Sequence, residues 1–466
     1  METLSLNLWR PVVVASSVLL ASCLLISAAA SADEQDFGPS RKVVAAKQVF
    51  ADTAVQTTRR PLRAGLTFFA DVTGFIRSAG AGLIRKRVVM NLERPPGPLS
   101  PCHESEGMQA PDEELQPALI RPYIDGSEAL AALDQMIDNA GRRIDVLMYL
   151  WGDDPIGMEI ASRLASRAGP HLPVRILVDG GGNLLQGQPK EASAREVNRV
   201  VCWLSHQPYV QLIRTRDPGL HFDHRKLVVV DGATAWSGGR NFTRRAFVED
   251  HDLSLTLCGP LAAQADMIFE MFWRQQGGRA APSLSCAPTV PGNAVARLVE
   301  SGPLQRQLGQ TLYREVDSAR RSITIENPYL TDTLLLSKLA KARRRGVDVR
   351  VVLTLQDVTD TINRANRVTA NRLLRAGVRV YIYPGLMHTK TAVVDGRWAY
   401  VGTGNFDALS LRRNHELGLS IGDGPVIREL EEGLFGADMR PEWELTERLS
   451  VGPADYLSEL LADLFL

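Results

Sequence analysis

The sequence predicts an α/β protein in which one unit has been built twice and the two copies share a single site. Two observations predict it: helical stretches alternate with short apolar strands from about residue 116 onward, and a 32-residue segment recurs further along the chain. Arg143 to Tyr149 and Val174 to Val178 read as buried strands with a helical stretch, Pro155 to Arg167, between them. The same order returns as Ser322 to Ile325, Thr333 to Arg345 and Val349 to Leu353. Such alternation argues for α/β units with a largely parallel sheet. Residues 224–255 laid on 388–419, an offset of 164, give 13 identities in 32 positions. Unrelated segments of average composition share about two or three, so the segment is a duplicated unit.

Taken in order, residues 1–32 read as an export signal: Arg10, an apolar run from Val12 to Ala30, and Ala30-Ser31-Ala32 before two acids. A retained membrane anchor and a lipoprotein box at Leu20-Ala21-Ser22-Cys23 are the alternatives. All three place the remainder outside the cytoplasm, periplasmic or secreted. Residues 33–115 form an extension whose basic and apolar stretch, Pro61 to Leu92, is expected to pack as an amphipathic helix on the body, or else to lie on a membrane surface. It ends in a linker, Pro95-Pro96-Gly97-Pro98-Leu99-Ser100-Pro101, that no helix or strand continues through. The first repeat spans 116–290 and the second 291–425, with the Gly-, Pro- and Ser-rich stretch Gly277 to Val295 at the boundary. Helices fill 426–466, where Leu457, Leu460, Leu461, Leu464 and Phe465 form one stripe expected to pack on the body, with membrane contact as the alternative.

Composition narrows the function classes. Fifty-three basic and fifty-three acidic side chains cancel, so no global field draws the chain to nucleic acid or an anionic surface, and an anion must be held by a local site. After cleavage of the signal Cys102, Cys202, Cys258 and Cys286 remain, an even number consistent with two disulfides of unassigned connectivity, Cys258 fitting a buried thiol equally well. No metal or other cofactor is expected. His221, His224 and His251 lack a counterpart cluster in the second copy, where Gly385 stands at the position of His221.

Each copy carries His-x-Lys-x4-Asp: His224, Lys226 and Asp231, then His388, Lys390 and Asp395. His-x-Lys opens an apolar run, Leu227 to Val230 or Thr391 to Val394, so period-two geometry puts the histidine and lysine on one strand face. Asp231-Gly232 and Asp395-Gly396 are hairpin signals, which makes these two aspartates turn residues. The returning strands lead to Gly238-Gly239-Arg240-Asn241 and Gly402-Thr403-Gly404-Asn405, read as phosphate-binding turns through Gly239, Asn241, Thr403 and Asn405. A carboxylate opens the next strand, Asp252 and Glu416, and can fix a histidine tautomer by accepting its Nδ1 proton. His251 and His415 also repeat, and should face away from these acids in a structural role. The constellation has what phosphodiester displacement requires: a neutral imidazole to attack phosphorus, a protonated one to release the alkoxide, and lysine and amide groups around the charge.

With these residues in place, the chain resembles the phospholipase D superfamily, and within it the cardiolipin synthase-like branch. Tyr149-Leu150-Trp151-Gly152-Asp153-Asp154, Gly259-Pro260, Asn327-Pro328-Tyr329-Leu330 and Tyr383-Pro384-Gly385 add to the likeness, which covers about 120 to 466. The resemblance implies two tandem phospholipase D-type α/β sandwich domains about a pseudo-twofold axis, a phosphohistidine on His224, and His388 as general acid. The serine that often follows the first glycine of the family's phosphate turn is Gly239 in one copy and Thr403 in the other.

The expected function is that of an exported phosphodiesterase or phosphatidyltransferase on glycerophospholipids, possible cardiolipin synthesis included. Its expected partners are phosphatidylglycerol-like membrane phospholipids, an alcohol or water acceptor and a membrane surface, with no nucleic acid, and the chain is expected to act as a monomer. Tyr149, Trp151 and Tyr329, at strand ends, either rim the pocket or fill the core. An exported nuclease and an inactive envelope-binding homologue are the competing readings.

Overall fold

The strand order of the sheet is a palindrome. In the computed structural model, which describes residues 115–185, 198–215, 221–282, 284, 292–357 and 360–465, the strands are β1 (Gln116–Tyr123), β2 (Ile144–Met148), β3 (Val174–Val178), β4 (Val210–Arg214), β5 (Lys226–Val230), β6 (Thr234–Gly238), β7 (Ser254–Cys258), β8 (Ala294–Gly302), β9 (Gln305–Arg306), β10 (Ser322–Glu326), β11 (Asp348–Thr354), β12 (Arg379–Tyr383), β13 (Thr391–Val394), β14 (Trp398–Gly402) and β15 (Glu416–Ile421). They form one sheet in the order β12-β11-β10-β13-β14-β15-β8-β1-β7-β6-β5-β2-β3-β4, with β9 paired to β8. A pseudo-twofold axis passes between β8 and β1, which pair antiparallel. Each half repeats the other outward from that seam.

The largely parallel sheet expected from the strand-helix alternation is half realised. β2, β3 and β4 run parallel, as do β10, β11 and β12. The strands nearer the axis are antiparallel because tight Asp-Gly turns join β5 to β6 and β13 to β14, and a short hairpin can join only antiparallel neighbours. Asp231 and Gly232 have φ of 57° and 65°, and Asp395 and Gly396 have 56° and 64°, the positive values at both central positions that a type I′ turn needs.

Both faces of the sheet are covered, and β2, β3 and β5 are buried along their whole length, whereas β1 and β4 keep exposed positions. In β5, Val228 and Val230 join the core beneath the helices Gly126–Asp138 and Pro155–Arg167, whereas Leu227 and Val229 join the core beneath the helix Pro260–Gln275. The second core continues across the axis to Val393, Val401 and Leu417, and so welds the two halves together. Aspartates start the helices where the strands end. Asp154 accepts from Gly157 N at 2.8 Å with Pro155 in the first turn, and Asp332 accepts from Leu335 N at 2.7 Å.

The C-terminal helix Pro453–Phe465 packs against Asp360–Arg375. It does so through Ser458, Glu459 and Ala462, while Leu457 is 55% exposed; the leucine stripe is not the buried face at that position, because Glu459 pairs with Arg372 and turns it outward. Cys202 and Cys258 are free thiols. Cys102, Cys286, the export segment and the extension with its linker lie outside the described residues, as does most of the boundary stretch. Among the described residues no helix is long and apolar enough to cross a membrane.

Candidate active site

The site forms where the two halves meet across the axis. His224 N donates to His415 O at 2.9 Å and His415 N to Phe222 O at 3.0 Å. The symmetric pair is His388 N to His251 O at 2.8 Å and His251 N to Leu386 O at 2.9 Å. In each case the residue before the acid of one copy lies against the histidine motif of the other. The acids therefore cross over. Glu416 reaches His224 Nδ1 with both oxygens, at 3.0 and 2.9 Å, and Asp252 Oδ2 lies 2.7 Å from His388 Nδ1.

Period-two geometry holds for the motif itself. Lys226 Nζ turns back to donate to His224 O at 2.7 Å, and Lys390 Nζ does the same to His388 O. Arg225 points the other way, paired with Asp223 and stacked over Phe272. Asn241 and Asn405 are buried, and among the described residues the Oδ1 of each has no hydrogen-bond partner. Neither amide oxygen is used by the fold.

Gly239 and Thr403 differ from their sequence reading. Their main-chain N–H groups go to Leu253 O and Leu417 O, both at 2.9 Å, so neither turn offers that amide to a phosphate. The Thr403 hydroxyl accepts from Leu417 N and donates to Glu416 Oε2 at 2.5 Å. It braces the carboxylate. A Cβ at Gly239 would lie 2.0 Å from Asp252 Oδ1, so the shorter acid of that copy occupies the space of the missing side chain. Asp231 and Asp395 are turn residues: each carboxylate accepts three main-chain N–H groups, from Gly141, Arg142 and Arg143 or from Arg320, Arg321 and Ser322.

Burial sets the charges. It pushes Lys226 down to about 7 and Lys390 to about 8, with Glu416 and Asp252, respectively, opposing it. His388 is pushed down to about 3, first by burial and then by Lys390, and His224 is lowered mainly by burial. Burial alone would raise Glu416, but His224 and Lys226 outweigh it and hold the acid at about 2; Asp252 is lowered by His388 and Lys390 in the same way. At neutral pH both acids are ionised and both imidazoles neutral. A carboxylate on Nδ1 fixes the proton there and leaves Nε2 with its lone pair.

Tyr149 packs edge-on to His224, ring centroids 4.6 Å apart, and its ring centre lies 4.9 Å from Lys226 Nζ. Trp151 is core, its indole N–H bonded to Gly157 O at 2.9 Å, and Tyr329 is tied to Asp357 at 3.2 Å. Asn327 was not singled out as a site residue; its Oδ1 accepts from Tyr329 N and Phe406 N, both at 3.1 Å, and holds the turn that carries Asn405. The only sequence signal for it was its place in the Asn327-Pro328-Tyr329 stretch.

The family profile described as "Cardiolipin synthase, PLD-like domain" matches residues 133–273 and 312–435. The cardiolipin synthase of Listeria monocytogenes serotype 4a (strain HCC23) is 27% identical over 349 residues, 71% of this chain and 70% of that protein. Cardiolipin synthase A of Pectobacterium atrosepticum is 29% identical over 316 residues, 64% of each chain. Among solved structures, phosphatidylserine synthase from Haemophilus influenzae Rd KW20 superposes with a TM-score of 0.60 at 16% identity, covering 82% of this chain and all of that one, a likeness of fold.

Proposed function

The chain belongs to the cardiolipin synthase, PLD-like domain family, and from that premise we propose that it is an exported phosphatidyltransferase or phospholipase that works through a phosphohistidine on His224. The observation that carries this reading is the crossed pairing, in which each imidazole is held at Nδ1 by a carboxylate of the other half. His224 Nε2 attacks phosphorus, an N–P bond forms, and the bond from phosphorus to the headgroup oxygen breaks as His388 gives that oxygen a proton. An acceptor alcohol, or water, then passes its proton to His388 and attacks phosphorus, and the N–P bond breaks. Lys226, Lys390, Asn241 and Asn405 hold the non-bridging oxygens. His388 is neutral in the free site because of burial and Lys390; an anionic phosphate beside Lys390 offsets that lysine and lets His388 take up its proton.

Glycerophospholipid substrates are supported by the named activities of the relatives. Contact with a membrane surface is supported by Tyr456 and Leu457, exposed on the C-terminal helix, and export by the apolar run from Val12 to Ala30. The test is to incubate the protein with phosphatidylglycerol, phosphatidylethanolamine and single-stranded DNA, with and without glycerol. Phosphatidic acid reports hydrolysis and cardiolipin reports transfer, and both are expected to vanish with His224→Ala. Cleavage of the DNA with the lipids untouched sinks the proposal and selects the nuclease reading.

A further inference from the structure

A second polar cluster lies outside the histidine-lysine site. His251 Nε2 is 2.7 Å from Asp438 Oδ2 and 3.2 Å from Glu326 Oε1, and one ligand atom from each of the three lies within 4.8 Å of the others. Glu326 and Asp438 are buried and the His251 side chain is 15% exposed. His251 Nε2 carries one proton at most, and it goes to Asp438. Glu326 meets the His251 ring at 3.2 Å and the Asp438 carboxyl, yet among the described residues neither of its buried oxygens has a hydrogen bond of good geometry; two buried carboxylates side by side are costly unless a cation or proton joins them.

The fold does not ask for an acid there. Glu326 pairs with Thr391 in the ladder of the second half, and the matching pair in the first half is Leu147 with Leu227. Leu147 is a core residue. His251 also lines a cleft of about 560 Å³ whose wall, among the described residues, carries Asp125, Glu128, Glu249, Asp250 and Glu429 and neither lysine nor arginine. Arg245 and Arg244, from outside the wall, pair with Asp250 and Glu249, and Arg240 acts on Asp125; Glu128 and Glu429 leave the approach negative. An acid-lined cleft concentrates cations.

We propose that His251, Glu326 and Asp438 bind one divalent transition-metal ion of the Mn²⁺ or Zn²⁺ class, which enters through the acidic cleft. One imidazole nitrogen with two carboxylate oxygens suits such ions. Ligand bonds of about 2.1 Å put neighbouring donor atoms roughly 3.0–3.4 Å apart, and His251 Nε2 stands 2.7 and 3.2 Å from the two carboxylate oxygens. On binding, Nε2 releases its proton to solvent and gives its lone pair to the metal. The ion ties together a segment of the first half, the end of β10 and the turn of helix Gly436–Asp438. The main chain of that first-half segment holds His388 N and Leu386 O, so the ion is a positioning element and takes no part in bond breaking.

The test uses the full chain, stripped with EDTA, dialysed and titrated with Mn²⁺ while free Mn²⁺ is followed by electron paramagnetic resonance. One saturable equivalent is expected, retained in the double variant His224→Ala with His388→Ala. Affinity should fall by on the order of 100-fold or more in His251→Ala, as expected when a ligand is lost. Glu326→Leu installs the residue of the first half; it should fold, melt higher than the wild type without metal, and show no melting shift on adding Mn²⁺, where the wild type shifts upward. Absence of saturable binding, unchanged binding in Glu326→Leu, or loss of binding in the active-site double variant overturns the proposal.

Discussion

Asp252→Asn separates crossed from same-copy pairing of acids and histidines. Asp252 Oδ1 accepts from Leu253 N at 2.7 Å, and Oδ2 faces His388 Nδ1 at 2.7 Å. In the asparagine the oxygen must stay on the Leu253 N–H, so the NH₂ group falls where Oδ2 was and presents a donor to Nδ1. His388 then carries its proton on Nε2 and cannot take one from an acceptor. Loss of the correct tautomer in a carboxylate-histidine pair lowers turnover about 10⁴-fold, which is about 5 kcal/mol of barrier. The assay uses a phosphatidyl ester of p-nitrophenol, whose phenolate leaves without a general acid. His224 and its Glu416 are intact in Asp252→Asn, so the proposed mechanism predicts a burst of one nitrophenolate per chain, followed by slow turnover as a phosphoenzyme accumulates. Glu416→Gln should show no burst, because the nucleophile itself is compromised. The opposite pattern, a burst in Glu416→Gln and none in Asp252→Asn, refutes the crossed geometry.

Gly239→Ala forces the Asp252 carboxylate aside, since the new methyl would sit 2.0 Å from its Oδ1; turnover should fall by roughly 100-fold with the burst preserved, and undiminished turnover would show that the carboxylate has room to shift. Asp395→Ala leaves three main-chain N–H groups without their acceptor and should cost about 2–4 kcal/mol in a denaturant titration; a loss below 1 kcal/mol would mean that solvent replaces it. Acid stability follows from Glu416, held at about 2 against an ordinary 4.5. Its depressed value contributes about 3 kcal/mol above pH 4.5 that is lost as pH falls toward 2. His388, lowered to about 3 from 6.5, acts with the same sign between pH 6.5 and 3 because the unfolded chain binds the extra proton. Unfolding free energy measured against pH in the wild type and in Glu416→Gln should therefore differ below pH 4.5, where the variant loses the acid-side fall that Glu416 contributes; an unchanged slope would count against an ionised, paired Glu416.

What could be read in the sequence is what local patterns determine. The helix Pro155–Arg167 begins and ends where periodicity and Pro155 place it, and the Asp-Gly turns follow from a requirement for positive φ that few residue pairs meet. The crossed pairing was not legible. Glu416 stands 192 residues from His224, and only the contact between halves brings them together; spacing within one copy would have paired Asp252 with His224. The contact of the Thr403 hydroxyl with Glu416 was not legible for a related reason, since a hydroxyl in a phosphate-type turn looks the same in sequence whether it faces a ligand or a carboxylate. Glu326 and Asp438 belong to no repeated motif, and nothing marks them until the sheet closes against His251.

Near-symmetry of the scaffold leaves the chemistry to be divided by small differences. Glu416 grips His224 with two oxygens and is braced by Thr403, whereas Asp252 reaches His388 with one oxygen and has only its own neighbour's N–H on the other. Tyr149 packs on His224 and Lys226; the ladder registers of β2 and β10 put Pro328 at the matching place beside the second copy. In the proposed mechanism the nucleophile must carry a phosphoryl group through a second displacement and so needs a fixed ring, a demand that the doubly held, aromatic-flanked His224 suits. The general acid and base of that mechanism must change protonation twice in each cycle, and the single carboxylate contact on His388 suits such a change, with Lys390 lowering its proton affinity as Lys226 and Lys390 lower that of His224. The unequal bracing of two equivalent positions is the physical ground for giving them unequal roles.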